Sequence, residues 1–189
     1  KKGIENTNYL LKSKKKKYIL TIFEKRVSKT EIPFFMKLMD VLNNSKINCP
    51  KPLKTKHKSY LFQLKKKSAC IVTFLEGRDK KILNSSDCYS IGKTIARMHL
   101  VTKKIKFKRK NSMGIKKLNP LLKNIKFKSK QYSNLKIFLR RNLNDIKKNW
   151  PKNLPEGIIH ADLFVDNIFF NKNKLSGIID FYFAANDYY

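Results

Sequence analysis

Arginine and acid are what this chain is short of. Against 44 basic residues it carries only 13 acids, and 38 of the bases are lysine against six arginines. Nucleic-acid readers lean on arginine, whose planar fork binds phosphates and base edges bidentately. A net charge of +31 is therefore weak support for such a partner. Lys, Asn and Ile fill 75 of the 189 positions. All three are written with A/T-rich codons, so base composition accounts for the bias, and the lysines are expected on solvent. Cysteine is scarce too. Cys49, Cys70 and Cys88 form no CxxC, which excludes a disulfide framework and a zinc spacing and suits a reducing cytoplasm. No apolar run approaches the roughly 18 residues of a membrane span, so no membrane partner is expected. The opening KKGIENTNYLL has neither an initiator Met nor the apolar core of a signal peptide. It starts mid-pattern, and DFYFAANDYY stops just after an apolar strand, so the sequence reads as a fragment cut at both ends.

What is present is globular: 41% hydrophobic residues, 12% of the chain aromatic, exclude a disordered chain. Residues 9–12 and 18–24 (YILTIFE) read as strands joined by a polar lysine turn. IPFFMKLMDVLNN places Phe34, Leu38, Val41 and Leu42 at helical spacing behind Pro33, a good first-turn residue. The Cys49-Pro50-Lys51-Pro52 run breaks that helix, and residues 60–64 and 69–75 read as a second strand pair. A β-β-α-β-β order over residues 1–75 predicts a small α+β lobe. Beyond a hinge at Glu76-Gly77 the pattern turns helical over residues 76–189. One helix carries Ile91, Ile95 and Met98. A lysine-rich stretch, 103–130, is expected to hold loops and a short helix. A further helix carries Leu135, Phe138, Leu139, Leu143 and Ile146 and ends before Pro151.

The chemistry sits near the C-terminus. Residues 1–155 hold 42 bases and 8 acids, whereas residues 156–189 hold 2 bases and 5 acids. A locally acidic end on a basic chain suggests that a cation is handled there, with Asp162, Asp180 and Asp187 clustered. NIFFNKNKLSGIID reads as a β-hairpin. With Asn173-Lys174 as its tip, Asn167 falls opposite Asp180, and facing residues stand about 4.5–5.5 Å apart. Asp162 lies on the loop entering the hairpin. One carboxylate to accept a hydroxyl proton, and two oxygen ligands to hold Mg²⁺ on nucleotide phosphates, are what phosphoryl transfer needs. His160, Asp162 and Asn167 keep the H-x-D-x-x-x-x-N spacing of kinase catalytic loops, and Asp180-Phe181 follows a strand. The plainer alternative is an Asx turn in which these side chains only cap backbone groups. His160 is expected to brace the loop, and Asp166 to lie beside the site.

ENTNYLL, YILTIFEKR, PFFMKLMDVL, VTFLEGR, IHADLFVDNIFF and LSGIIDFYFAAND occur in that order. Together they resemble the bacterial homoserine kinase family, within the aminoglycoside-phosphotransferase and choline-kinase-like superfamily. The resemblance implies an α+β, bilobal protein-kinase-like fold, a small β-sheet lobe (residues 1–75) and a larger, mainly helical lobe (76–189) carrying the catalytic hairpin. It implies phosphorylation of the L-homoserine hydroxyl from Mg-ATP, in threonine biosynthesis, so ATP and Mg²⁺ are the expected cofactors and L-homoserine the partner. Carried over by position, Asp162 is the base, and Asn167 and Asp180 are the metal ligands and complete the catalytic set. Gly3, Asn6 and Asn8 belong to what remains of the phosphate loop. Thr21 occupies the phosphate-lysine strand position, and residues 73–75 (Thr73 and Leu75 at its ends) form the segment whose backbone pairs with adenine. The departures are that Thr21 replaces the lysine, that Phe35 stands where its glutamate partner would be, and that Ala185 replaces a frequent Cys. Lys25 or Arg26 is the candidate substitute for the lysine. The oligomeric state is left open. Two other readings stay on the page: a kinase for choline, an amino alcohol or an aminosugar, and a basic nucleic-acid-binding domain on a kinase shell.

Overall fold

The computed structural model describes residues 6–24, 27–125 and 132–189. β1 (Asn6–Lys12) and β2 (Lys17–Phe23) form an antiparallel hairpin in unbroken register, from Asn6 opposite Phe23 to Lys12 opposite Lys17. β3 (Phe62–Leu64) and β4 (Lys67–Thr73) complete a four-stranded sheet in the order β1-β2-β4-β3. The expected strand 60–64 starts later because the Ser59 hydroxyl takes both backbone groups of Leu61, donating to its C=O and accepting from its N–H. β4 starts earlier than expected, straight after Lys65 and Lys66. Both have positive φ (46° and 64°), the two-residue turn whose twist suits a hairpin.

α1 (Ile32–Asn44) has the expected bounds, with Pro33 in its first turn. Its buried face, Ile32, Phe35, Met36, Leu38 and Leu42 among others, lies in one cluster with Cys70 and Val72 of β4. Met98, Ile158, Ile178 and Phe181 belong to the same cluster, so the sheet and the later elements share one core. The connector after β4 is pinned rather than loose. Gly77 has φ +124°, and a Cβ there would meet the Phe170 carbonyl oxygen at 2.7 Å. Arg78 exchanges both backbone hydrogen bonds with Phe170.

α2 (Ser85–Thr102) begins on a reciprocal cap: the Asn84 side chain accepts from the Asp87 N–H, and the Asp87 carboxylate accepts from the Asn84 N–H. Lys80 lies 2.8 Å from the same carboxylate and holds it below the usual carboxylate range. Asn84→Ala is expected to cost about 1 kcal/mol of stability, read as a lower urea midpoint at unchanged slope.

α3 (Ile115–Asn124) and α4 (Ser133–Lys148) pack on each other. Of the apolar residues on α4, Leu143 is buried, whereas Leu135, Phe138 and Ile146 are exposed. β5 (Glu156–Ile159) pairs with β8 (Ala185–Tyr188), and β6 (Ile168–Asn171) with β7 (Lys174–Ile178). None of the described lysines is buried, as their number and the codon bias predict.

Candidate active site

The segment 160–167 leaves β5 and enters β6, and the segment 179–184 leaves β7 and enters β8. Ile159 pairs with Ala185 and Ile168 with Ile178. The Asp162 loop and the Asp180 turn are therefore clamped together at both ends by strand pairing. The register differs from the expected one. The tip is Lys172-Asn173, both with positive φ (46° and 61°), between paired Asn171 and Lys174, and a bulge interrupts the ladder at Phe169/Phe170. Asn167 consequently lies opposite Ile179, whose N–H donates to its C=O at 2.9 Å, and Asp180 sits one residue further on. Two consecutive left-handed residues suit the strand twist at a two-residue tip, and that requirement overrode a tip at Asn173-Lys174.

His160 is buried. Its Nδ1 lies 3.3 Å from the Asp162 backbone N–H, which can only donate, so Nε2 carries the proton and donates to the Ile179 carbonyl at 2.9 Å. The imidazole thus stitches the loop to the segment that leads from β7 to Asp180. Burial pushes its pKa below the ordinary imidazole value. Above about pH 6.5 both the folded and the unfolded chain are neutral at this position. Below it the unfolded chain takes up a proton that the fold resists, so stability falls as pH drops from about 6.5 toward the folded pKa. Half-buried His99 is displaced in the same direction by its burial. Urea unfolding at a series of pH values should show this acid-side loss, and His160→Asn should flatten it by the His160 share.

Two non-glycine residues, Ala161 (φ 63°) and Asp180 (φ 61°), hold left-handed backbone on either side of the site. Such backbone costs on the order of 1 kcal/mol per residue and persists where surroundings impose it, often at functional sites. Asn167 is buried, and its Nδ2 donates to the Asp162 carbonyl at 2.8 Å and approaches the Asp162 carboxylate at 3.4 Å. With the nitrogen turned to Asp162, the amide oxygen points the other way. Asp187 is engaged separately, by Asn111 at 2.6 Å and by the Tyr188 N–H at 2.9 Å.

Above Asp180 lies a cavity of about 300 Å³ between the sheet and the hairpin. Its lining brings together Asn6, Asn8, Thr21, Thr73, Leu75 and Asp180. Gly3, Lys25 and Arg26 lie outside the described residues. Among the described residues no Lys or Arg lines the cavity. The Thr73 N–H is bonded to the Lys51 carbonyl and the Phe74 N–H to the Lys17 carbonyl. Of the segment 73–75, the Leu75 backbone groups stay clear of such bonds among the described residues.

Two residues that sequence reasoning passed over secure the turn after Asp180. Arg109, nearly buried, donates to Glu31 at 2.8 Å and to the carbonyls of Phe183 and Ala184, with its guanidinium 5.0 Å from the Phe35 ring centre. Its signal was rarity, an arginine in a chain that otherwise uses lysine. Tyr182 packs edge-on against Phe23 and Phe35, with ring centres 5.4 and 5.6 Å apart.

The chain belongs to the phosphotransferase enzyme family, whose profile matches residues 1–189. Among curated relatives it is 43% identical over 187 residues to the homoserine kinase of Bradyrhizobium diazoefficiens, covering 98% of this chain and 57% of the relative. It is 40% identical over 187 residues to the homoserine kinase of Rhizobium meliloti, again covering 98% and 57%. The chain thus spans a little over half the length of these relatives. Of solved structures, an amicoumacin kinase in complex with AMP-PNP and Ca²⁺ superposes with TM-score 0.76 at 17% identity, covering 99% of this chain and 59% of that one. Aminoglycoside phosphotransferase APH(4)-Ia superposes with TM-score 0.65 at 12% identity, covering 99% and 66%. These two establish the protein-kinase-like α+β fold.

Proposed function

We propose that the protein is a small-molecule kinase that transfers the γ-phosphoryl group of ATP to the hydroxyl of L-homoserine, giving O-phospho-L-homoserine and ADP. What supports the reading is that the Asp162 loop and the Asp180 turn lie side by side, clamped at both ends by strand pairing, with Asn167 bonded to Asp162 and Asp180 lining the cavity. The curated relatives, named homoserine kinases, supply the acceptor.

Asp162 is the general base. Half-buried on a loop held by His160 and Asn167, it accepts the hydroxyl proton as the oxygen attacks the γ-phosphorus and ADP leaves. The Asn167 amide oxygen and the Asp180 carboxylate are hard oxygen donors and fit Mg²⁺. Bound there, Mg²⁺ would supply charge neutralisation of the phosphates. The nucleotide fits the cavity: the Leu75 backbone pairs with adenine, Thr73 lines the same wall, and Asn6, Asn8 and Thr21 lie on the phosphate side. Among the described residues the Asn6 Oδ1 is buried without a hydrogen-bond partner, the acceptor a nucleotide hydroxyl or amine would satisfy. We place the lobe boundary at 75/76, with residues 1–75 over the nucleotide and 76–189 carrying the catalytic hairpin. The three free cysteines, two buried and one exposed, suit the cytoplasm of this reading. Among the described residues no helix is long and apolar enough to cross a membrane.

The test is ADP release by the full-length protein with ATP, Mg²⁺ and a panel of homoserine, choline and an aminosugar. Homoserine is expected to give the highest kcat/KM by a wide margin. Preference for choline or the aminosugar would move the reading to another acceptor, and no turnover with any of them would overturn it.

A further inference from the structure

In protein kinases a sheet lysine and a helix glutamate form an ion pair that must be in place together with the metal-binding Asp. Carried over by position, those two places hold Thr21 and Phe35, neither of them charged. A different ion pair lies one helical turn away. Glu31 is the N-cap residue of α1, four positions before Phe35, and its carboxylate caps no backbone group of its own helix. Arg109, in the segment between α2 and α3, takes that carboxylate instead, Nε to Oε1 at 2.8 Å. A negative charge also suits the positive end of the helix dipole.

The rest of the guanidinium is directed at the segment that follows Asp180. Nη1 donates to the carbonyls of Phe183 and Ala184 at 3.3 and 3.1 Å, and Nη2 lies 3.5 Å from the Ser112 hydroxyl oxygen. The Phe35 ring centre is 5.0 Å from the guanidinium carbon. Phe183 closes the 3-10 turn Phe181–Phe183, whose N-cap is Asp180. The root of the arginine is fixed too. Its N–H donates to Asn186 Oδ1 at 2.9 Å and its C=O accepts from the Asn186 N–H at 2.8 Å, so it is anchored on β8. The Arg109 side chain is 8% exposed, against 37% for Glu31. All three nitrogens of the fork have partners, and the single nitrogen of a lysine could not reach them together.

The Asp180 turn is therefore held on both sides. Before it, Ile179 is bonded to Asn167 and to His160; beyond Phe183 the hold is Arg109. The left-handed backbone at Asp180 (φ 61°) persists only where its surroundings impose it. We propose that Arg109 is a positioning residue that couples α1 to the Asp180 turn, through Glu31 on one side and the Phe183 and Ala184 carbonyls on the other, and so sets the Asp180 carboxylate for the metal. This rests on the kinase reading above, in which Asp180 holds the metal on the nucleotide. It gives α1 a charged tie to the metal-binding turn that passes through neither Thr21 nor a charge at Phe35.

The test uses the full-length protein and reads nucleotide binding by calorimetry, with and without Mg²⁺. Glu31→Gln puts a neutral group of the same size on a partly exposed side chain, so the fold is expected to stand. It should raise the Kd for Mg-ATP about fivefold, the scale of one partly exposed ion pair, and leave the Kd for metal-free ATP unchanged. Arg109→Lys keeps the charge and loses the fork, and should weaken Mg-ATP binding about tenfold with the same Mg²⁺ dependence. The double variant should be no worse than the poorer single one, as members of one network are not additive. A Glu31→Gln protein that binds Mg-ATP like the wild type overturns the proposal, even where Arg109→Lys is impaired or unfolded, because Arg109 would then brace the turn without α1. So does equal weakening with and without Mg²⁺, the signature of a packing role. Wild-type protein that binds Mg-ATP yet leaves homoserine unphosphorylated would remove the acceptor and leave this inference standing. Wild-type protein that binds no Mg-ATP would remove both.

Discussion

In the full-length protein, Asp162→Asn is expected to lower turnover by about 10²–10⁴-fold while Mg-ATP affinity stays nearly unchanged. In the proposed reaction the carboxylate accepts a proton as the homoserine oxygen attacks, a role expressed in the transition state. Its backbone is fixed independently: its N–H meets the His160 ring and its C=O accepts from Asn167, and neither bond uses the carboxylate as the main partner. The amide of Asn fits the same place with no gain or loss of volume, so the substitution removes basicity and little else. A pre-steady-state experiment that shows normal nucleotide binding and slow phosphoryl transfer is the expected pattern. Normal transfer would take the base away from Asp162.

Asp180→Asn should do something different. Asn is among the few non-glycine residues that readily hold the left-handed backbone Asp180 adopts, so the turn into Phe181 is expected to persist. In the proposed role, what is lost is the charged oxygen ligand of the metal. Residues that merely support a ligand are worth about 10–100-fold in metal affinity, so loss of the ligand itself should weaken Mg-ATP binding by on the order of 10²-fold or more. Turnover falls with it. Raised Mg²⁺, or Mn²⁺, should recover part of the activity for Asp180→Asn and none for Asp162→Asn. Equal rescue of both, or of neither, would contradict the division of labour between the two carboxylates.

Much of this arrangement was legible in the residues because local chemistry and tertiary need agree. Pro33 and the helical spacing of Phe34, Leu38 and Leu42 marked α1 to its ends, and the alternating apolar runs marked the strands. The spacing from His160 to Asn167 carried the loop, since a bracing imidazole and a turned amide require those intervals. The hairpin register was harder. A polar run NKNK offers several two-residue tips, and the choice of Lys172-Asn173 depends on backbone twist, while next to the bulge at Phe169/Phe170 Gly177 lies against Asn48, whose carbonyl oxygen a Cβ would meet at 2.4 Å. Nothing local to NIFFNKNK announces Asn48.

Tyr182 and Arg109 were illegible for a related reason. Both act through contacts far along the chain, Tyr182 with the rings of Phe23 and Phe35 and Arg109 with Glu31 and the carbonyls of Phe183 and Ala184. The departure at the lysine and glutamate positions is visible in the sequence as Thr21 and Phe35. On α4 the apolar spacing marks a helix, and Phe138 and Ile146 on it stand exposed. Periodicity reports that a helix has an apolar side and says nothing of what lies against it.

The arrangement at the hairpin mouth is tested most directly by a crystal structure of the full-length protein with Mg²⁺ and a non-hydrolysable ATP analogue. The metal should be held by the Asn167 amide oxygen and the Asp180 carboxylate, with adenine against the Leu75 backbone and the γ-phosphate facing Asp162. A nucleotide bound outside the cavity, or a metal that neither Asn167 nor Asp180 touches, would contradict the account.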